Sequence, residues 1–272
     1  MRVISFLSQK GGCGKTTSCL NLAAALAGMG RRVLVIDLDS NACASRTFEV
    51  VGAFEDSVAA ALTGVRPLME IIRPTGLERV WLAPGATNLS QIETMVIHDS
   101  ARADANGRLE DIALALELER LEPGTFEYVF VDCPGGNLFM ARLALLASTD
   151  VIVPTGLSLL DLYAGTPTLQ LILMAQEIRG TGAPVFLGFL PNGAGKKGIP
   201  RKIGKELETY AMPCFTPIRH SASMKSIASA PKIPLRLMVS AHPGHPVTAS
   251  YLQVAREIEL GIEAARAETT TA

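Results

Sequence analysis

Ten residues, SQKGGCGKTT (8–17), constrain this chain more than any other stretch. They follow an apolar run, Val3–Leu7. They precede Thr16–Met29, where Leu20, Leu22, Ala23, Leu26 and Ala27 form the apolar side of a helix. A glycine-rich turn between a buried strand and a helix is the arrangement that cradles phosphate, G-x-x-x-x-G-K-[ST]. Gly14-Lys15-Thr16 supply its end. Gln9 stands where the first glycine is usual, and a second lysine, Lys10, follows it.

The same alternation runs along the chain. Val33–Ile36, Tyr128–Val131, Val151–Val153 and Val185–Leu190 read as buried strands, with helix-length segments such as Leu109–Leu121 and Leu157–Ile178 around them. Continuous apolar strands bounded by helices predict a parallel sheet covered on both faces. The expected fold is α/β: a doubly wound, mainly parallel sheet of the P-loop NTPase type. With 272 residues, 48% of them hydrophobic, and no repeat or linker, residues 1–266 are expected to form one domain. Residues 267–272 are expected to fray, and 99–108 to form an exposed loop.

Composition narrows the function. The net charge of −1 argues against a uniformly basic coat and leaves room for a local patch. No apolar run approaches the roughly 20 residues of a membrane span. The first strand begins almost at Met1, which leaves no room for a signal peptide, so a cytoplasmic location is expected. The five scattered cysteines form no CxxC pair and read as reduced thiols. His242 and His245, in HPGHP, read as a turn.

The polar signatures fall where strands are expected to end, which is where ligands bind in such sheets. The loop Gly11-Gly12-Cys13-Gly14 is expected to turn backbone N–H groups around phosphate oxygens, aided by the helix that follows. Lys15 would reach the β- and γ-phosphates, Thr16 would ligate Mg²⁺, and Thr17 would touch the α-phosphate. Asp132, after the strand YVFV, is placed to hold the Mg²⁺ water shell. Gly135-Gly136 would let the next loop move when a phosphate leaves. Asp37 and Asp39, two apart in VLVIDLDSN, share one side of an extended chain. One would hold a metal-bound water and the other orient the attacking water.

These residues resemble a known family. KGGCGKTT resembles the deviant Walker A box, KGGxGKTT, of ParA/MinD-type ATPases. VLVIDLDSNACAS is similar to their segment after strand two, and YVFVDCPGG to their D-[TC]-P-P segment. TPIRHSASMKSIASAPKIP is similar to a late segment in which Ile-Arg precedes a helix. Departures stand at Ser40-Asn41, where Pro-Gln is usual, and at Gly135-Gly136, where Pro-Ser is common. The resemblance runs from Met1 to about Ile262 and is nearest to short ParA-like partition ATPases.

The resemblance implies ATP and Mg²⁺ as cofactors and a sandwich homodimer with two ATPs between its subunits. It makes Lys10 the lysine that reaches the partner's nucleotide, offsetting charge in phosphoryl transfer as an arginine finger does. Lys10, Lys15 and Asp39 are then the expected catalytic residues, with Asp39 positioning water and Thr16, Asp37 and Asp132 around the metal. Asn192 would read adenine, and Pro217 and Arg219 would flank the base or ribose. Hydrolysis is expected to be slow until a ParB-like centromere-binding protein stimulates it.

The family divides by cargo. In GKKGIPRKIGK (195–205), Lys196, Lys197, Arg201, Lys202 and Lys205 precede any acid. That density suits phosphate contacts on nonspecific DNA, with a nucleoid location, and Arg219, Lys225, Lys232 and Arg236 would extend the patch. The last helix carries Arg256 and Arg266 among more numerous glutamates, unlike a basic membrane anchor, so no membrane partner is expected. Cys133 has no neighbour suited to an iron–sulfur cluster. The alternative reading is a positioning ATPase for non-DNA cargo or a membrane-associated complex.

Overall fold

The computed structural model describes residues 1–87, 89, 92, 109–222 and 237–270. Its strands are β1 (Arg2–Phe6), β2 (Val33–Asp37), β3 (Arg73–Pro74), β4 (Val80–Ala83), β5 (Tyr128–Asp132), β6 (Asp150–Thr155), β7 (Val185–Ala194) and β8 (Ile218–Arg219). They form one eight-stranded sheet in the order β3-β4-β2-β5-β1-β6-β7-β8. Only the edge pair β3–β4 is antiparallel. This is the doubly wound P-loop fold that the alternating pattern predicts.

The helices in chain order are α1 (Lys15–Gly28), α2 (Cys43–Thr47), α3 (Val58–Leu62), α4 (Leu68–Ile71), α5 (Leu109–Glu119) and α6 (Leu138–Ala147). They continue as α7 (Leu159–Tyr163), α8 (Thr166–Arg179), α9 (Arg201–Thr209), α10 (Met238–Ala241) and α11 (Pro246–Thr270). Strand alternation feeds two cores. Ile4, Phe6, Val33, Val35 and Phe130 meet α1, α10 and α11 on one face, with Phe6 and Phe130 packed edge-on at 5.0 Å. Val3, Leu34, Ile36, Val129 and Val131 meet α3, α5, α6 and α8 on the other. Burial on both faces is why these strands read as unbroken apolar runs. Among the described residues no helix is long and apolar enough to cross a membrane.

Three expectations change. The helix expected over Leu157–Ile178 is two, α7 and α8, meeting at Ala164-Gly165. Pro167 has no N–H to donate and fits only a first helical turn, so a new helix starts beside it. β7 continues to Ala194, which puts Asn192 inside the strand rather than after it. The short strands β3, β4 and β8 escaped notice because two to four residues carry no period. The last helix is assigned as far as Thr270. Segment 99–108, expected as a loop, lies outside the described residues. The five cysteines are all free, as expected.

Gly165 is confined by the helix junction. A Cβ there would lie 2.7 Å from Phe189 Cε1 and 3.0 Å from the Leu162 carbonyl oxygen. Gly165→Ala should therefore cost about 1–3 kcal/mol, read as a lower urea midpoint at unchanged slope. Gly182→Ala, with nothing within 4 Å of its Cβ position, should stay within about 0.5 kcal/mol of the parent.

Candidate functional site

β1 lies between β5 and β6, and the strand order reverses around it, so its carboxyl end opens into the crevice where such sheets bind ligands. The loop 8–14 leaves β1 there. Gly14 holds φ at 91°, a left-handed value that favours glycine, and a Cβ at that position would stand 2.9 Å from Asn192 Nδ2. Gly14 is also the N-cap of α1 and offers no capping side chain. The first N–H groups of α1 thus keep their capacity for an anion, at the positive end of the helix.

The two lysines of the loop are held differently. Lys15 is 8% exposed, and its Nζ donates to the Lys10 carbonyl at 3.1 Å. Cys13 Sγ donates to the same oxygen at 3.3 Å. Gly135 brings the loop after β5 against this cluster: a Cβ there would lie 3.2 Å from Lys15 Nζ. The Lys10 side chain is 46% exposed, and its ammonium is ion-paired with Asp161. Asp161 opens α7 in a reciprocal cap. Its N–H donates to Ser158 Oγ at 3.1 Å, and its Oδ2 accepts the Ser158 N–H at 3.0 Å and hydroxyl at 2.7 Å. The hydrogen bond from Lys10 is the main reason the Asp161 carboxyl sits below its ordinary range. Sequence reasoning missed Asp161, 151 residues from Lys10. SLLD (158–161) was legible as a capping motif, which marks a helix start and not a contact with Lys10.

Asp37 and Asp132 are register partners at the ends of β2 and β5, both fully buried. Asp37 is engaged: Oδ1 accepts the Asp39 N–H at 3.1 Å, and Oδ2 accepts the Ser45 N–H and hydroxyl at 2.8 and 2.7 Å. Neither Asp132 oxygen makes a hydrogen bond of full geometry, and the donor beside the carboxyl is the Thr16 hydroxyl. Burial pushes Asp37 up to about 6. Burial first, then the charge of Asp37, pushes Asp132 well above the carboxylate range, with the neighbouring Thr16 hydroxyl and Lys15 ammonium pulling it back. Two adjacent buried carboxylates fit a divalent cation, and an orphaned carboxylate beside a threonine hydroxyl is a hard-oxygen set of the kind Mg²⁺ takes while keeping waters. Among the described residues no three His, Cys, Asp or Glu side chains form a closed metal cage. Asp39, half-buried at the mouth, accepts the Asn41 N–H and Nδ2, each at 2.9 Å.

The residues expected around the base divide. Asn192 joins the phosphate loop: Nδ2 donates to the Cys13 carbonyl at 2.8 Å, and Oδ1 accepts the Ser18 hydroxyl at 3.3 Å. Pro217, half-buried, immediately precedes β8. Arg219 engages the carbonyls of Gly195 and Lys196. Lys196, Lys197, Arg201, Lys202 and Lys205 are all exposed, while Ile203 and Leu207 turn the opposite side of α9 into the protein. Lys225, Lys232 and Arg236 lie outside the described residues, with most of the late segment.

Comparison with known proteins bears on the family and the fold. A family profile described as an AAA domain matches residues 1–181. The chain is 32% identical over 157 residues to the chromosome partitioning protein ParA of Myxococcus xanthus, covering 56% of this chain and 51% of that protein. It is 33% identical over 186 residues to ParA of Caulobacter vibrioides, covering 68% of this chain and 66% of that protein. The chain thus spans about half the length of the first of these curated relatives and about two thirds of the second. Among solved structures it superposes on cobyrinic acid a,c-diamide synthase from Mycobacterium smegmatis with bound ADP and magnesium. That match has a TM-score of 0.75 at 25% identity and covers 94% and 93% of the two chains.

The carboxylate pair sets a pH dependence. An acid raised on folding contributes stability that is fully present below its unfolded value, near 3.8, and lost as pH climbs through the folded value, about 6 for Asp37. Asp132 has the same sign. Asp132→Asn should raise the Tm of the ligand-free protein, and the gain should grow from pH 5 to pH 8. A Tm that falls, or a gain independent of pH, contradicts an unpaired buried carboxylate.

Proposed function

Because the chain belongs to the ParA/MinD-like family of P-loop ATPases, we propose that it is a ParA-type partition ATPase. It hydrolyses ATP with Mg²⁺, dimerises on ATP, holds DNA without reading sequence, and lets go when a ParB-like partner stimulates hydrolysis. Such a cycle places it in the cytoplasm, on the nucleoid.

The observation that carries this reading is the division of labour between the two lysines. Lys15 is buried inside the loop and donates to a neutral carbonyl, so a phosphate oxygen would be a better partner. Lys10 is half-exposed and held at the surface by Asp161, which leaves it free to be redirected to a nucleotide on a second subunit. An exposed ion pair of this kind is worth at most about 1 kcal/mol, little against a triphosphate.

The remaining roles follow from position. The loop amides and Lys15 hold the phosphates. Thr16 and Asp132 hold Mg²⁺, with Asp37 fixing the strand end beside them. The metal supplies charge neutralisation at the β- and γ-phosphates. Asp39, at the mouth, orients the attacking water. Asn192, already seated on the loop, reads the adenine. With Asp39 drawn into its own turn by Asn41 and Lys10 on Asp161, basal turnover is slow. The cationic surface of 196–205, doubled in a dimer, supplies the DNA contact.

The test is DNA retention at rising salt with ATP, ADP or no nucleotide. Wild type should retain DNA with ATP alone. Changing Lys196, Lys197, Arg201 and Lys202 to Ala should flatten the salt dependence, by roughly 0.9 in slope for each phosphate no longer neutralised. Equal retention in ADP, or an unchanged slope in the variant, contradicts the proposal.

A further inference from the structure

Arg219 sits at the root of the cationic loop, on a backbone fixed from two sides. It pairs with Ala194 across β7 and β8, and the next residue, His220, donates its N–H to the Ala194 carbonyl at 2.8 Å. Its own N–H reaches Ser250 Oγ, nearly buried on α11, at 3.4 Å. From that anchor Arg219 Nη1 donates to two successive carbonyls, Gly195 at 3.3 Å and Lys196 at 3.2 Å. We propose that Arg219 is a positioning residue of the DNA-facing loop, clamping the turn that carries Lys196 and Lys197. This rests on the DNA reading above.

The turn needs such a clamp. It is closed by one main-chain bond, Gly198 N–H to the Gly195 carbonyl at 3.1 Å. Gly193 and Gly198 hold left-handed φ values of 86° and 76°, and glycine-rich backbone is costly to order. Lys196 and Lys197 also repel each other. A carboxylate would steady the lysines but cancel their charge. A guanidinium on two carbonyls steadies the main chain and adds to the positive field. The same strand carries Asn192, bonded to the Cys13 carbonyl, so the clamped turn starts shortly beyond a contact with the phosphate loop.

The test uses the full chain with Arg219→Ala and Arg219→Lys. Trypsin cleavage after Lys196 and Lys197, followed by mass spectrometry on nucleotide-free protein, reports the turn without DNA. Cleavage should accelerate at least about fivefold in the Ala variant, the ratio that one net hydrogen bond represents. The Lys variant, which keeps the charge on a shorter arm that falls short of the two carbonyls Arg219 Nη1 reaches, should also be cleaved faster than wild type. Both should retain less DNA with ATP. The clamp is overturned if cleavage is unchanged in the Ala variant, if the Lys variant matches wild type in both assays, or if ATP affinity falls further than cleavage rises. That last result would put Arg219 at the nucleotide. Wild type that fails to retain DNA with ATP would sink the DNA reading, while the cleavage rates still decide the clamp.

Discussion

The hydrogen bond from the Lys15 ammonium to the Lys10 carbonyl organises the phosphate site. A buried ammonium needs acceptors, and here the loop itself supplies a neutral one. The same carbonyl takes the Cys13 thiol, so one peptide group closes the ring of the loop. The left-handed Gly14 and the close approach of Gly135 make room for that closure. The sheet sets the site's place, because β1 is the strand around which the order reverses. At the end of the neighbouring strand β5, Asp132 is the opposite case, a buried carboxylate with no hydrogen bond of full geometry and only the Thr16 hydroxyl beside it. Together they make a cradle whose cation is weakly satisfied and whose anion is unsatisfied, which suits a ligand that brings both an anion and a metal.

In the proposed cycle the other end of Lys10 is the part of the site that moves. Its ammonium rests on Asp161, which is also capped by Ser158. When Lys10 leaves, Asp161 keeps its bonds to Ser158 and α7 keeps its cap. The exchange therefore requires no unfolding. A surface ion pair is traded for a charged contact elsewhere, and the difference between two such electrostatic terms is small enough for a nucleotide to decide.

Much of this was legible in the sequence, for identifiable reasons. The central strands are buried on both faces and so form runs that need no periodicity to find. GKTT after such a run admits few structures, and Asp37 and Asp132 are marked by a carboxylate ending each run. What escaped was either too short or too distant. β3 and β4 offer two to four residues each. The break between α7 and α8 was marked by Gly165 and Pro167 and escaped because apolar residues flank it at helical spacing on both sides. Asp161 reads only as a capping residue, since nothing local shows that β1 and β6 are neighbours that bring it to Lys10. The hold of Arg219 on the Gly195 and Lys196 carbonyls depends on a two-residue strand that leaves no pattern.

Whether Lys10 joins two subunits through bound ATP is most directly tested by mass. Light scattering on wild type and Lys10→Ala, each with ATP, Mg²⁺ and a parallel measurement of nucleotide bound, separates cradle from bridge. The account predicts that wild type doubles its mass while the variant binds ATP and remains a monomer. A variant that dimerises as wild type does would contradict it.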